Sequence, residues 1–172
     1  MAEPMSGPLI VTAELGPADF AYFDGLRRKH FPPERNQLPA HLTMFHALPP
    51  SSEPEVRRQL GILSAMPAPA AQLAGLMNLG GGVAFRLVSE ELDGIRDELA
   101  GHFYGLLTAQ DAQGWRPHIT IQNKVSDSEA RRLLADLARS FMPRPLPITA
   151  LGLHRYLGGP WEWLARYPFR GA

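Results

Sequence analysis

Two short apolar segments of the chain carry the same pair of polar residues. His41 and Thr43 stand two positions apart, and so do His118 and Thr120, with a proline shortly before each pair. Side chains two positions apart lie on the same face of a β-strand. With six histidines and five threonines in 172 residues, random placement gives about 0.17 His-x-Thr pairs, far fewer than the two observed.

This combination of side chains suits acid–base chemistry on a phosphodiester. An imidazole titrates near pH 6.5, so one ring can accept a proton from an attacking hydroxyl while a second ring protonates the leaving oxygen. A threonine hydroxyl can donate a hydrogen bond to a non-bridging phosphate oxygen. We therefore predict that His41, Thr43, His118 and Thr120 are catalytic.

The remaining histidines do not indicate a metal site. The chain has no cysteine and lacks both a His-x-His pair and a helical His-x₃-His pair, so the usual zinc patterns are absent. We expect no cofactor and a metal-independent reaction.

His46 is expected to cap a strand or face solvent, and His154 to be structural. Taken singly, His41 or His118 could equally be a strand histidine bonded to neighbouring backbone groups.

Predicted strands and helices alternate along the chain around these motifs. Proline, glycine and serine-capping signals divide it into strand, helix, strand, helix, two strands, helix, strand, helix and two strands. The motif strands are predicted over residues 40–48 and 117–122, and capping boxes begin at Ser52 and Ser126. This order predicts an α+β fold. Paired arginines such as Arg27-Arg28 are predicted to be solvated on helix faces.

Length and composition favour a single globular domain over residues 1–172. The hydrophobic fraction is 45%, the charged fraction is 20%, and 17 basic residues balance 17 acidic ones. This balance argues against a broad basic surface for duplex nucleic acid. No apolar run approaches the roughly 20 residues that cross a membrane. We expect a cytoplasmic monomer without a membrane partner.

The paired motifs resemble those of the two-histidine (2H) phosphoesterases, a group that includes 2′-5′ RNA ligase-like proteins and RNA 2′,3′-cyclic phosphodiesterases. The motifs stand 77 positions apart, and the resemblance extends to the order of elements over nearly the whole chain. It implies a two-lobed fold in which two pseudo-symmetric, mostly antiparallel sheets, flanked by helices, enclose a central cleft. It also implies a phosphodiesterase that hydrolyses a 2′,3′-cyclic phosphate RNA end or a related small nucleotide, cyclic or 2′,5′-linked.

Residues close to the motifs or in the last strand pair are candidates for substrate contacts, with aromatic rings suited to stacking on an unpaired base. These candidates are Phe45, Gln122, Lys124, Arg116, Tyr156 and Trp161. The expected partner is a small nucleotide or a single-stranded RNA terminus. The sequence after each motif departs from that of bacterial cyclic phosphodiesterases, which indicates a divergent branch. A non-catalytic module that binds a nucleotide or RNA end in the same cleft is the alternative.

Overall fold

The structure, a computed structural model, describes residues 7–171 as two four-stranded sheets with helices packed on them. The strands are β1 (Leu9–Leu15), β2 (Leu42–Leu48), β3 (Gln72–Asn78), β4 (Val83–Val88), β5 (His118–Gln122), β6 (Arg144–Pro145), β7 (Ile148–Tyr156) and β8 (Trp161–Pro168). The helices are α1 (Pro17–His30), α2 (Glu53–Ser64), α3 (Glu90–His102), α4 (Ala109–Ala112) and α5 (Asp127–Ala138).

Helix boundaries follow the local capping chemistry at two serines, of which Ser126 begins a predicted capping box. Ser89 accepts a hydrogen bond from the backbone N–H of Leu92 at the start of α3, and Ser126 accepts one from Glu129 at the start of α5. Such caps satisfy amide groups that have no partner within the helix. The cap predicted at Ser52 is wrong, because Ser52 ends a short 3₁₀ turn and makes no side-chain capping bond.

Both sheets are built from antiparallel pairs and leave a motif strand at one edge. The strand order is β2-β1-β7-β8 in the first sheet and β5-β4-β3-β6 in the second. The α+β prediction, with two pseudo-symmetric antiparallel sheets and flanking helices, is confirmed. The short helix α4 and the two-residue strand β6 were not predicted, because neither is long enough to show a hydrophobic period.

Helices connect the two sheets as well as covering them. Helix α1 leaves the first sheet after β1 and packs against β5 of the second sheet. Helix α4 packs against β2 of the first sheet, although it immediately precedes β5 in the chain. These crossings bring the two motif strands together. Among residues 7–171, no helix is both long and apolar enough to span a membrane.

Candidate active site

The two motif histidines occupy equivalent positions at the start of the two edge strands. His41 immediately precedes β2, and His118 is the first residue of β5. Cα atoms of β2 and β5 approach within 8 Å of each other. Two strands that are distant in the chain therefore meet along the cleft between the sheets.

Each histidine is oriented by the same backbone contact. The Nδ1 atom of His41 lies 2.8 Å from the carbonyl oxygen of Pro39, and Nδ1 of His118 lies 2.8 Å from that of Arg116. A carbonyl oxygen can only accept, so Nδ1 carries the proton and donates it in both rings. In the neutral state, Nε2 of each ring keeps its lone pair available for a proton from substrate or water.

The backbone next to each threonine is also held by a side chain from another element. The indole N–H of Trp115 donates to the carbonyl oxygen of Thr43 at 3.0 Å, and Arg27 Nη1 donates to that of Thr120 at 2.9 Å. These strands are sheet edges, whose carbonyl groups have no neighbouring strand on one side. The two contacts therefore fix the segments that carry the predicted phosphate-binding hydroxyls.

A β-bulge follows the threonine in both motif strands. Thr12 pairs with Thr43 and Val11 with Phe45, so the motif strand advances by two residues while its partner advances by one. The same shift occurs in β5, where Ala84 pairs with Thr120 and Val83 with Gln122. A bulge inserts one extra residue and reverses the side-chain alternation beyond it.

The bulges correct the predictions for Phe45 and Gln122. Strict alternation placed both on the face of the histidines, but their side chains turn into the interior. Phe45 is fully buried under the guanidinium group of Arg96, whose carbon lies 4.0 Å from the ring centroid, so Phe45 cannot stack on a base. Gln122 is 3% exposed, and its Oε1 atom has no hydrogen-bond partner among the described residues.

Residues of both motifs line one cavity of about 260 Å³, which we call the cationic cavity. His41 and Thr120 face it together with two arginines from α1 and the following loop. Its polar lining residues are Arg27, Arg35, Gln37, His41, Thr120 and Asn123. Two guanidinium groups beside an imidazole and a hydroxyl form a suitable environment for a phosphate group.

The surroundings of His41 favour its neutral form. Burial lowers its pKa, the Pro39 carbonyl opposes that shift, and the nearby charges of Arg27, His154 and His118 lower the pKa further, to about 4. His41 is therefore neutral at physiological pH and able to accept a proton at Nε2.

Comparison with known proteins agrees with this arrangement. A family model described as the 2′-5′ RNA ligase superfamily matches residues 15–160. The chain belongs to this superfamily of 2H phosphoesterases. No curated protein matches the chain.

Several solved structures share the superfamily fold with this chain. TT0787 of Thermus thermophilus superposes with a TM-score of 0.67 at 19% identity, covering 95% of this chain and 98% of that one. LigT of E. coli, complexed with 3′-AMP, gives a TM-score of 0.56 at 20% identity over 96% and 99% of the two chains. A protein described as a phosphoesterase gives 0.53 at 21% identity over 95% and 98%. At these identities the likeness concerns the fold alone.

The remaining substrate-contact candidates of this superfamily member lie in the β7–β8 hairpin and on either side of β5. The Trp161 ring centroid is 4.7 Å from that of His41, so Trp161 borders the predicted catalytic group. Arg116 is exposed, and its carbonyl orients His118. Lys124 is exposed in the turn after β5, and Tyr156 is exposed in the β7–β8 hairpin opposite Trp161. Their roles in substrate binding stay predictions.

Sequence reasoning missed Arg27, which was expected to be solvated. Its side chain is only 4% exposed; it bonds to Asn36 and Thr120 and lies 4.5 Å from the ring centroid of Phe31. Arg27 lies four residues after Phe23, which is buried. This spacing could have identified Arg27, because residues four apart share one helix face. Its neighbour Arg28 is exposed as predicted.

Proposed function

We propose that the protein is a metal-independent phosphodiesterase that hydrolyses 2′,3′-cyclic phosphate RNA ends or related small nucleotide phosphodiesters. The observation that carries the proposal is the cationic cavity, in which His41 of the first motif and Thr120 of the second share one wall with Arg27 and Arg35. A phosphodiester anion placed there would meet cationic, hydroxyl and imidazole groups at once.

The proposed reaction is an in-line displacement at phosphorus. Nε2 of His41 removes a proton from the attacking water as the new P–O bond forms. His118 gives a proton to the leaving ribose oxygen as the ring P–O bond breaks, and the product is a phosphate monoester. We assign the base role to His41 because its low pKa keeps the ring neutral. The acid role then falls to His118, the only other histidine of the paired motifs.

The threonines and arginines have a separate role in this mechanism. The hydroxyl groups of Thr43 and Thr120 would donate to the non-bridging oxygens, which carry more negative charge in the transition state. Arg27 and Arg35 would hold the substrate anion before reaction. Arg27 also fixes the backbone of Thr120, so it links anion binding to the position of a predicted catalytic strand.

The test compares three histidine variants on a panel of substrates in the presence of a metal chelator. The panel contains the four nucleoside 2′,3′-cyclic phosphates, 2′,5′-linked oligonucleotides and ADP-ribose cyclic phosphate. His41→Ala and His118→Ala should each lower turnover by about 10²- to 10⁴-fold, the usual contribution of one acid–base group. His30→Ala, on α1 and outside the cationic cavity, is the matched control and should retain activity. Full turnover in either motif variant refutes the mechanism.

The second candidate function is binding of a nucleotide or RNA end without turnover. The same cationic cavity would support it, because anion binding needs the arginines and hydroxyls but no proton transfer. Measurable binding of panel members with no turnover of any of them, in the wild-type protein, would favour this candidate over hydrolysis.

A further inference from the structure

His41 also lines a second cavity, which differs from the first in its chemistry. It encloses about 380 Å³ against the face of β1 and β7, and we call it the apolar cavity. Phe20, Pro39 and Trp161 contribute apolar surface, while Thr12, Glu14, His154 and Arg166 are among the residues that supply polar atoms. Its volume lies near the lower end of the range for small-molecule sites, which suits a nucleoside better than an oligonucleotide.

Three polar side-chain atoms of this cavity lie close together beside the Cα atom of Gly152. A Cβ atom at this position would lie 2.5 Å from Oγ1 of Thr12, 2.9 Å from Oε2 of Glu14 and 3.1 Å from Nε2 of His154. Only a glycine leaves this space free. Thr12 is 4% exposed and its hydroxyl lies 3.2 Å from His154 Nε2, so these two side chains are ordered by an internal contact.

Glu14 and Arg166, which both line this cavity, form an ion pair in it. Arg166 Nε donates to Oε1 of Glu14 at 2.7 Å, which orients the carboxylate and leaves Oε2 without this contact. Burial lowers the pKa of His154 below its ordinary value, so His154 adds no positive charge to the cavity near neutral pH. A carboxylate repels a phosphate but accepts hydrogen bonds from N–H groups.

The two cavities therefore select complementary parts of one ligand. The cationic cavity suits an anion, whereas the apolar cavity suits a flat, uncharged group that presents N–H donors, and His41 lines both. A nucleoside phosphate has this composition, with an anionic phosphate and a planar base joined by a ribose. Guanine is the base that presents two adjacent donors, N1–H and the N2 amino group, to a carboxylate.

We infer that the apolar cavity binds the nucleobase next to the reacting phosphate and that Glu14 selects guanine through its N1–H and N2 amino groups. This inference builds on the proposed function, because it names the base of the same substrate. Uracil presents a single N–H between two carbonyl oxygens, and these oxygens would face the carboxylate unfavourably. Good paired contacts to a base edge contribute about 1–3 kcal/mol of discrimination.

The test measures binding of nucleosides that lack phosphate, by calorimetry on the wild-type protein. Guanosine should bind about tenfold more tightly than uridine, equivalent to roughly 1.4 kcal/mol. Inosine, which lacks the N2 amino group, should bind more weakly than guanosine. Equal affinities for guanosine, inosine and uridine, or no nucleoside binding, overturn the inference without requiring any variant.

Two glutamate variants then locate the discrimination. Glu14→Gln keeps the size of the side chain but removes its charge, and it should reduce the preference for guanosine over uridine to less than about threefold. Glu162→Gln, on the exposed part of β8 and outside the apolar cavity, should keep the wild-type preference. Circular dichroism confirms that both variants fold. An unchanged preference in folded Glu14→Gln overturns the assignment to Glu14.

The outcomes separate this inference from the proposed hydrolysis. Guanosine-selective binding without turnover of any cyclic phosphate would sustain the base site and reject the phosphodiesterase. Turnover that proceeds equally with guanosine and uridine cyclic phosphates, without selective nucleoside binding, would sustain the phosphodiesterase and reject the base site.

Discussion

The two histidines are presented to the cleft by identical hydrogen bonds but sit in different electrostatic surroundings. Each ring donates from Nδ1 to the carbonyl two residues earlier, which leaves Nε2 free. His41 also contacts the ring of Trp161 and lies beside buried Arg27. The same strand motif therefore orients both rings alike, while residues outside the motif give His41 its low pKa.

The depressed pKa of His41 predicts an unusual acidic limb in the pH profile of kcat/KM. An unperturbed imidazole base would lose half its active form near pH 6.5. Because the pKa of His41 lies at about 4, the neutral base should persist well below that point. We expect the acidic limb of hydrolysis of a cyclic nucleotide to have its midpoint near pH 4.

The same titration can be followed at the residue itself. Imidazole NMR signals of His41, assigned by their loss in His41→Ala, should report the same midpoint. An acidic limb between about pH 6 and 7, with His41 itself titrating near pH 4, would contradict the base assignment.

The bulges show why the sequence predicts the strands better than it predicts which of their residues face the site. The apolar character of β2 and β5 followed from composition. The histidine and the threonine of each motif followed from their spacing. The extra residue after Thr43 and Thr120 left no such signal, because the residues there read as regular alternation. Packing against the neighbouring strand determines the register, so the burial of Phe45 could not be predicted.

Asp111 of helix α4 is a buried carboxylate that binds the C-terminal half of β2. Asp111 accepts hydrogen bonds from the backbone N–H groups of His46 and Ala47 and from the His46 ring, at 2.8–3.0 Å. Burial alone would raise the pKa of Asp111, but these bonds outweigh it and lower the pKa below its ordinary value. The ionised form is therefore the one that stabilises the fold.

Replacing this carboxylate should lower stability in a pH-dependent way. Asp111→Asn should reduce the free energy of unfolding by about 2 kcal/mol near neutral pH, because charge-assisted hydrogen bonds are lost. A carboxyl group with a lowered folded-state pKa contributes fully above its unfolded pKa of about 3.9 and loses this contribution as the pH falls through its folded value. The difference from wild type, measured by urea unfolding, should therefore shrink as the pH falls below about 3.9.

Asp136→Asn is the control for this measurement, since Asp136 is 58% exposed on α5. It should change the unfolding free energy by less than about 0.5 kcal/mol at either pH. A loss in Asp111→Asn that stays constant with pH would show that its charge does not contribute as described.

The relative placement of the two sheets depends on contacts that cross between them. Arg96 of α3 donates from Nε to the carbonyl oxygen of Met44 at 2.9 Å and from Nη2 to that of Asp111 at 2.6 Å, so it joins β2 to α4. Trp115 precedes β5 and donates to Thr43 in β2, while Arg27 joins α1 to Thr120 in β5. None of these partners is near the other in sequence, so the side-chain contacts that hold the two motif strands in place could not be predicted from spacing.

Trp115 provides the most direct test of this cross-sheet organisation. Trp115→Phe removes the indole N–H that holds the Thr43 carbonyl but keeps an aromatic ring near Arg96. One neutral hydrogen bond contributes about 1 kcal/mol to stability, whereas small displacements of a reacting group cost much more in rate. We expect a loss of about tenfold in kcat with a fall in unfolding free energy of only about 1 kcal/mol.

Trp163→Phe, at a ring that is 60% exposed on β8, should leave both quantities unchanged. Equal kcat in the two variants would mean that this bond supports the fold without positioning the motif strands for reaction.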